Sequence, residues 1–596
     1  MTLNPALGRR SLPHALLALS LLLAGCSQLT PAPQPVRLRV IAFNDFHGSL
    51  ESGRQVAPLQ DPERPGAVLQ VATGGAAALA GTIAALRAGS EHSVVVASGD
   101  QIGAAPLVST LFRHESTIEA LNDIGVDVAT VGNHEFDAGA IELKRVLGGG
   151  CAAPESSDRF TTSCAAGRDY AGARFQTVVA NVETQDGHPL FAPAWVRNVG
   201  PVRVGFVGAV TRTTPGIVVP SGVAGLRFTD QAQAILRTAR ELRAQGVNTV
   251  VATMHEGAEI GVPGRARDWN DPACEGLRGE AVEIARRIAA EIDLILTAHT
   301  HQGYDCRIEG RPMMQALSHG RGIAVADLPI DPRTGRVDHR GVRTRNLPVL
   351  NEHTAPGHRS AIALREPAPW SEALAAARPD AAVAQRVDVY ATLAAPVANR
   401  EVGRIDGEFT RRGRTDSPAG RLIADAQLAA TRPPERGAAQ IALMNPGGIR
   451  ADLRCSDSPA CPVTFGDAFA MQPFGNNLVV MKLSGAEIKD LLESQQPAGR
   501  RTPVLLAPSR GLHYRWVAHA PFGHRVERLS LDGLPVSPQA DYRIAVNGFL
   551  ADGGDGFTLF RRGRDRMGGV PDLDALLDFL QTVPAPDPEP RVDWID

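Results

Sequence analysis

Residues 126–137 read VDVATVGNHEFD, and the order of their chemistry decides the fold. The apolar, β-branched run Val126–Val131 has the character of a strand buried on both faces, and such strands belong to sheets covered by helices. Directly after it stand Asn133, His134, Glu135 and Asp137. A lone Asn-His pair is ordinarily a polar turn. It becomes a site only where other strands end in complementary chemistry.

Other strands do. "RLRVIAFND" runs into "NDFHG", which sets Asp45 and His47 two residues apart and therefore on one side of an extended segment. "SVVVASGD" ends on Asp100, "VNTVVATMHE" on His255, and "IDLILTAHT" on His299, with His301 two residues later. "FQTVVANV" and "RVGFVGAV" add further strands, while "GGAAALAGTIAALRAGS" and "EAVEIARRIAAEI" carry helical spacing between them. Strands alternating with helices predict a layered α/β sandwich over residues 37–345. Open α/β sheets bind ligands at the carboxyl ends of their strands, so these ends can converge. Asp45, His47, Asp100, Asn133, His255, His299 and His301 exceed what one tetrahedral ion needs and suit two divalent ions sharing a carboxylate. Imidazole with carboxylate favours Zn, Mn, Co or Fe, and the donor set leaves the identity open.

The rest of the chain bounds the reading. Its 596 residues exceed one ordinary domain. A hydrophobic fraction of 43% and a charged fraction of 21% describe a folded globular protein. A net charge of −3 without a basic stripe argues against a nucleic-acid polymer as partner. Residues 346–399 read as a linker that includes a helix, "PDAAVAQRVDVYATLAAPVANR", a strut between domains. Residues 400–585 read as a smaller α+β domain, and residues 586–596 as a disordered tail.

At the other end, Arg9 and Arg10 precede "ALLALSLLLAGC", which is too short to span a bilayer. Leu23-Ala24-Gly25-Cys26 resembles the bacterial lipobox. The resemblance implies that residues 1–25 are a lipoprotein signal peptide, that Cys26 carries the lipid, and that residues 26–36 form a Pro-rich tether. An ordinary secretory signal is the alternative. The expectation is an exported protein, probing the periplasm or cell surface from a membrane anchor. Six further cysteines are even in number, as an oxidising compartment favours. Fifteen pairings are formally open; the sequence-local set is Cys151–Cys164, Cys274–Cys306 and Cys455–Cys461, with buried free thiols as the other reading.

The ordered motifs "NDFHG", "SGD", "GNHEFD", "MHEG" and "AHTHQ" resemble those of the calcineurin-like metallophosphoesterases, within them the 5′-nucleotidase branch that includes the periplasmic UDP-sugar hydrolase. The resemblance covers nearly the whole mature chain. It implies that Asp45, His47 and His301 hold one ion, that Asn133, His255 and His299 hold the other, and that Asp100 bridges them. It also implies that His134, oriented by Asp137, faces the phosphate as the imidazolium and stabilises charge or assists the leaving oxygen. Water activated between the two ions is then the nucleophile. Two departures stand out here: Ala298 precedes His299 where Gly is frequent, and His301 stands where some relatives carry Gln.

The second domain supplies selectivity in this picture. "LMNPGGIR" sets Arg450 after a flexible turn, suited to bidentate binding of a phosphate. "MQPFGNNLVV" and "VNGFLADGGDGF" put Phe474 and Phe549 in glycine-bearing loops, where aromatic rings make stacking platforms for a base. By the resemblance, Phe474 and Phe549 sandwich the base, Asn476 and Asp555 hydrogen-bond to the nucleoside, and Arg450 meets the phosphate, with Arg412 or Arg414 as further cations. The usual Glu-x-Asn-Leu-Gly-Asn pattern has become Asp416-Ser-Pro-Ala-Gly-Arg421.

The expected protein is thus a monomeric, metal-dependent phosphoric ester hydrolase of 5′-nucleotidase type, with a nucleotide in the cleft between its domains. It would act in nucleotide catabolism, with 2′,3′-cyclic phosphodiester or nucleotide-sugar and diphosphate hydrolysis as extensions. Alternatives are the same metal site acting on a non-nucleotide substrate, as in the thiol-sulfate hydrolase of sulfur oxidation, or a non-catalytic surface-binding lipoprotein.

Overall fold

The structure is a computed structural model that describes residues 34–53, 55–61, 64, 67–153, 161–165, 169–261, 268–413, 415–455, 460–497, 502–587 and 589–596. The signal segment, Cys26, most of the tether and Arg414 lie outside the described residues.

The amino-terminal half is two six-stranded sheets packed face to face. One runs in the order Arg343–Pro348, Gly322–Ile330, Val36–Phe43, His92–Ser98, Val128–Thr130, Gln176–Val178. Its last four strands are parallel, and the first two are antiparallel additions. The other runs Gly303–Ile308, Arg311–Ala316, Leu294–Leu296, Thr249–His255, Val202–Val210, Ala194–Val199, with four parallel strands at its centre.

Alternation within each strand builds the layers. Leu38, Val40 and Ala42 join Val94, Val96 and Phe206 in the core between the sheets. Their neighbours Ile41, Phe43, Val95 and Ala97 face the opposite way, onto helices such as Ala76–Ala88 and Glu115–Ile124. On the far side Val250, Ala252 and Met254 pack on Gln231–Ala244 and Glu280–Ile288. Runs apolar on both faces, which gave no alternating pattern in the sequence, are thus explained: each strand is covered twice.

The carboxyl-terminal half centres on a five-stranded sheet, Ala507–Pro508, Ile441–Met444, Asp541–Asn547, Asn477–Ser484, Arg564–Pro571. Helix Ala381–Ala398 joins the halves. Its Val383, Val387, Tyr390 and Ala394 are buried in one apolar core that continues from Leu79 and Phe112 into Phe465 and Leu576. Arg386 adds ion pairs to Glu119 and Asp123. The linker helix is therefore a packed strut.

All three sequence-local cysteine pairs are bonded: Cys151–Cys164, Cys274–Cys306 and Cys455–Cys461. The Pro-rich end requires a correction. Residues 586–596 were expected to be a disordered tail, yet Val592–Ile595 forms a strand in parallel register with Tyr514–Val517, and Arg591 is buried in ion pairs with Asp425 and Asp587. Proline content masked a strand whose pairing partner lies 78 positions upstream, Tyr514 opposite Val592. No helix among the described residues is long and apolar enough to cross a membrane.

Candidate metal centre and interdomain cavity

The parallel strands of both sheets present their carboxyl ends to one place. Val36–Phe43, His92–Ser98 and Val128–Thr130 of the first sheet deliver Asp45, His47, Asp100 and Asn133. Thr249–His255 and Leu294–Leu296 of the second deliver His255, His299 and His301. Residues 254 positions apart in the chain become neighbours: the Nε2 atoms of His47 and His301 are 3.3 Å apart.

Two clusters result. Ligand atoms of Asp45, His47 and His301 lie within 4.8 Å of one another, and so do those of Asp100, His255 and His299. Asp100 Oδ2 is 3.1 Å from His255 Nε2 and 3.7 Å from His47 Nε2, so one oxygen reaches both groups. Asn133 Oδ1 sits 3.2 Å from His255 Nε2, on the second cluster.

The surroundings aim these atoms. His47 Nδ1 donates to the Gly103 carbonyl at 2.9 Å, and His255 Nδ1 to the Ser98 carbonyl at 3.1 Å. Each bond fixes the tautomer that leaves the Nε2 lone pair facing inward, the usual support for an imidazole ligand. Asp100 Oδ1 accepts the His134 backbone N–H, and Asp45 accepts the backbone N–H of His299 and the amide of Asn44. Glu135 lies beneath, accepting the N–H groups of Asp100 and Gln101.

The backbone is strained where the ligands stand. Asp45, His47, Asp100, His299 and His301 all adopt positive φ, between 47° and 71°. Such residues persist only where the fold over-determines them, and they gather at functional sites. Gly99 is glycine for a spatial reason: a Cβ there would come within 2.4 Å of the His255 ring.

Charges in this unsolvated nest act on one another. Without a cation beside it, burial disfavours the imidazolium of His255 but Asp100 and Asp45 outweigh it and lift its pKa to about 10, so a cation bound there must displace the Nε2 proton. Burial and the neighbouring His255 push His299 down to about 4. Burial works against the Asp100 carboxylate too, yet His255 and His134 hold it well below the ordinary carboxylate value. Four imidazoles, two carboxylates and an amide, five of the seven buried and five on strained backbone, fit a pair of divalent cations in both chemistry and spacing.

His134 stands beside the clusters on a short 3₁₀ turn, His134–Phe136. Its Nδ1 is 2.8 Å from Asp137 Oδ2. Burial lowers its basicity, while Asp137 and Asp100 raise it more, so the imidazolium is favoured.

A cavity of about 1130 Å³ opens from this centre towards the second domain. Its walls include His134, Asp137 and His299 on one side and Arg412, Arg450, Phe474, Asn476, Phe549 and Asp555 on the other. Every described residue expected to meet a substrate therefore lies on one surface. Asn476 also donates to buried Asp572 at 3.4 Å, and Asp555 accepts from Asn445 at 2.7 Å. The half-buried Arg450 guanidinium feels Asp100, Asp137 and Asp45, although desolvation leaves its pKa below the ordinary value.

Sequence reasoning overlooked several residues. His319 packs 5.3 Å from the His47 ring and 5.5 Å from the His301 ring, with Nδ1 3.1 Å from Ser49 Oγ. It follows Arg311–Ala316, another parallel strand of the second sheet, so the strand-end rule applied there as well. Asn445 and Asn547, hydrogen-bonded at 3.0 Å, likewise end two parallel strands of the second domain.

Sheets, strand ends and paired ligand clusters define a metallophosphoesterase fold joined to a second α/β domain. Residues 38–303 match the calcineurin-like phosphoesterase family, and residues 398–562 match the 5′-nucleotidase C-terminal domain. The chain belongs to the calcineurin-like phosphoesterases that carry this carboxyl-terminal domain. It is 30% identical over 574 residues to endonuclease YhcR of Bacillus subtilis, covering 94% of this chain and 41% of that protein. The chain thus spans less than half of that relative. Among solved structures, a 5′-nucleotidase precursor from Thermus thermophilus matches with a TM-score of 0.71 and 25% identity, covering 94% of this chain and 99% of the other. The sulfate thiohydrolase SoxB of the Thermus genus shares the fold, with a TM-score of 0.66 and 20% identity over 94% and 97% of the two chains.

Proposed function

We propose that the protein hydrolyses the terminal phosphate ester of nucleotides outside the cytoplasm. One observation carries the reading: Asn133 and His299, on the second of the two ligand clusters, line the same interdomain cavity as Phe474, in a turn, and Phe549, in the short helix Gly548–Ala551. Asp45, His47 and His301 would hold one divalent ion, and Asn133, His255 and His299 the other, with Asp100 between them. Such a pair of ions supplies an activated water and neutralises phosphoryl oxygens.

The chain's own groups do the rest. His134, kept protonated by Asp137, faces the cavity and stabilises negative charge on the phosphoryl group or on the departing oxygen. Arg450 brings a second cation from the other domain and suits bidentate binding of phosphate. Phe474 and Phe549 hold the base by stacking, with Asn476 and Asp555 as hydrogen-bonding partners of the nucleoside and Arg412 as an outer cation. Selectivity then lies on one domain and chemistry on the other.

The three disulfides suit an oxidising compartment. Together with the lipobox they support an exported protein tethered through Cys26. Phosphate release from AMP by the protein loaded with Mn, Co or Zn tests the function. Loaded protein that leaves AMP, cyclic nucleotides and nucleotide sugars intact would refute it.

A further inference from the structure

The cavity is larger than a mononucleotide requires. Its volume of about 1130 Å³ exceeds the roughly 300–1,000 Å³ that encloses most drug-sized ligands. Beyond the two phenylalanines its lining includes Trp594, Val504 and Leu505. Trp594 is half-buried and packs with these aliphatic side chains on the second domain's core, while its Nε1 donates to Asp596 at 2.8 Å. A partly open indole on a cavity wall has the form of a stacking platform.

An unusual set of buried charges delivers it there. The Asp416 carboxylate accepts the backbone N–H groups of Arg591 and Val592 and the guanidinium of Arg421. Arg421 donates on to the Asp587 carbonyl at 3.0 Å, and Arg591 makes a two-pronged pair with Asp425 at 2.7 Å. Asp416, Arg421 and Arg591 are all buried. Asp416 and Arg421 are two of the four positions, with Pro418 and Ala419, at which the chain departs from the Glu-x-Asn-Leu-Gly-Asn pattern. The departure therefore has a structural consequence: it locks strand Val592–Ile595 beside Tyr514–Val517 and so fixes Trp594 in the wall.

We propose that Trp594, with Val504 and Leu505, forms a second base-stacking subsite, so that the cavity accepts a 5′-phosphorylated dinucleotide. The first base lies between Phe474 and Phe549 and the second against the indole. Arg412, exposed on the same wall, faces the internucleotide phosphate. The subsite deepens the nucleotide reading above and rests on it.

The test compares AMP with the dinucleotide pApA on the metal-loaded protein and its Trp594→Leu and Trp594→Phe variants. Wild type should show a KM for pApA about 5- to 10-fold below that for AMP, the low end for one stacked base. Trp594→Leu should abolish that difference, and Trp594→Phe, which keeps an aromatic plane, should restore most of it. Equal factors of change for both substrates in Trp594→Leu would overturn the subsite, since a merely structural role moves both alike. Tryptophan fluorescence in EDTA reads the site without turnover. Quenching by pApA in wild type but not in Trp594→Leu supports it even if no phosphate is released from AMP, an outcome that would defeat only the hydrolytic reading. No quenching would overturn it.

Discussion

The ring of Phe474 lies 5.8 Å from that of His134 and within 23° of parallel to it. One residue belongs to a turn of the second domain and the other to the short 3₁₀ turn beside the ligand clusters of the first. The Arg450 guanidinium sits 6.0 Å from the same phenyl centroid. The groups proposed for base recognition and for charge stabilisation therefore meet across the domain boundary, and each can be probed separately.

His134→Ala should lower kcat for AMP by about 10²- to 10⁴-fold, the usual share of a positioned acid–base group. Its metal content should match wild type, because His134 contributes no atom to either cluster. Steady-state kinetics and elemental analysis together check this. Undiminished turnover would remove His134 from the chemistry.

Asp100→Ala removes the oxygen that reaches both clusters. The expected result is loss of bound metal along with activity, read by elemental analysis after dialysis. Retention of two ions per chain would contradict the bridging position.

Phe549→Ala should raise KM for AMP about 5- to 100-fold and leave kcat nearly unchanged, as loss of one stacking face predicts. Indifference to the change would favour a substrate without a base.

Asp572 offers a pH prediction away from the metal ligands. Burial, against a weaker opposing hydrogen bond from Asn476, lifts its carboxyl to about 7 from 3.8. The folded protein then holds a proton that the unfolded chain gives up. Its contribution to stability is complete below about pH 3.8 and is lost as pH rises through about 7. Asp572→Asn, which has no charge to bury, should gain stability relative to wild type between pH 5 and 8 (about the window of that loss), by on the order of a few kcal/mol. Parallel melting curves across that range would refute the shift.

Much of this protein was readable from its residues in order. Apolar runs ending in Asp, His or Asn marked the strands, their buried character and the candidate ligands that the fold gathers into two clusters, because a strand covered on both faces can expose polar groups only at its end. His319 followed the same rule and was passed over, since "ALSHG" lacks the long apolar run of the others. The reading failed at residues 586–596, where proline content spoke for disorder and long-range pairing prevailed.

Sequence alone determined which chemistry is present, because side-chain type and strand periodicity are local properties. Tertiary structure alone decided which groups meet: that two separate sheets bring His47 to His301, that Phe474 covers His134, and that Asp416 and Arg421 hold Trp594 in the cavity wall. Those relationships depend on strand register and domain packing, which arise from contacts between distant parts of the chain and leave no periodic trace in its order.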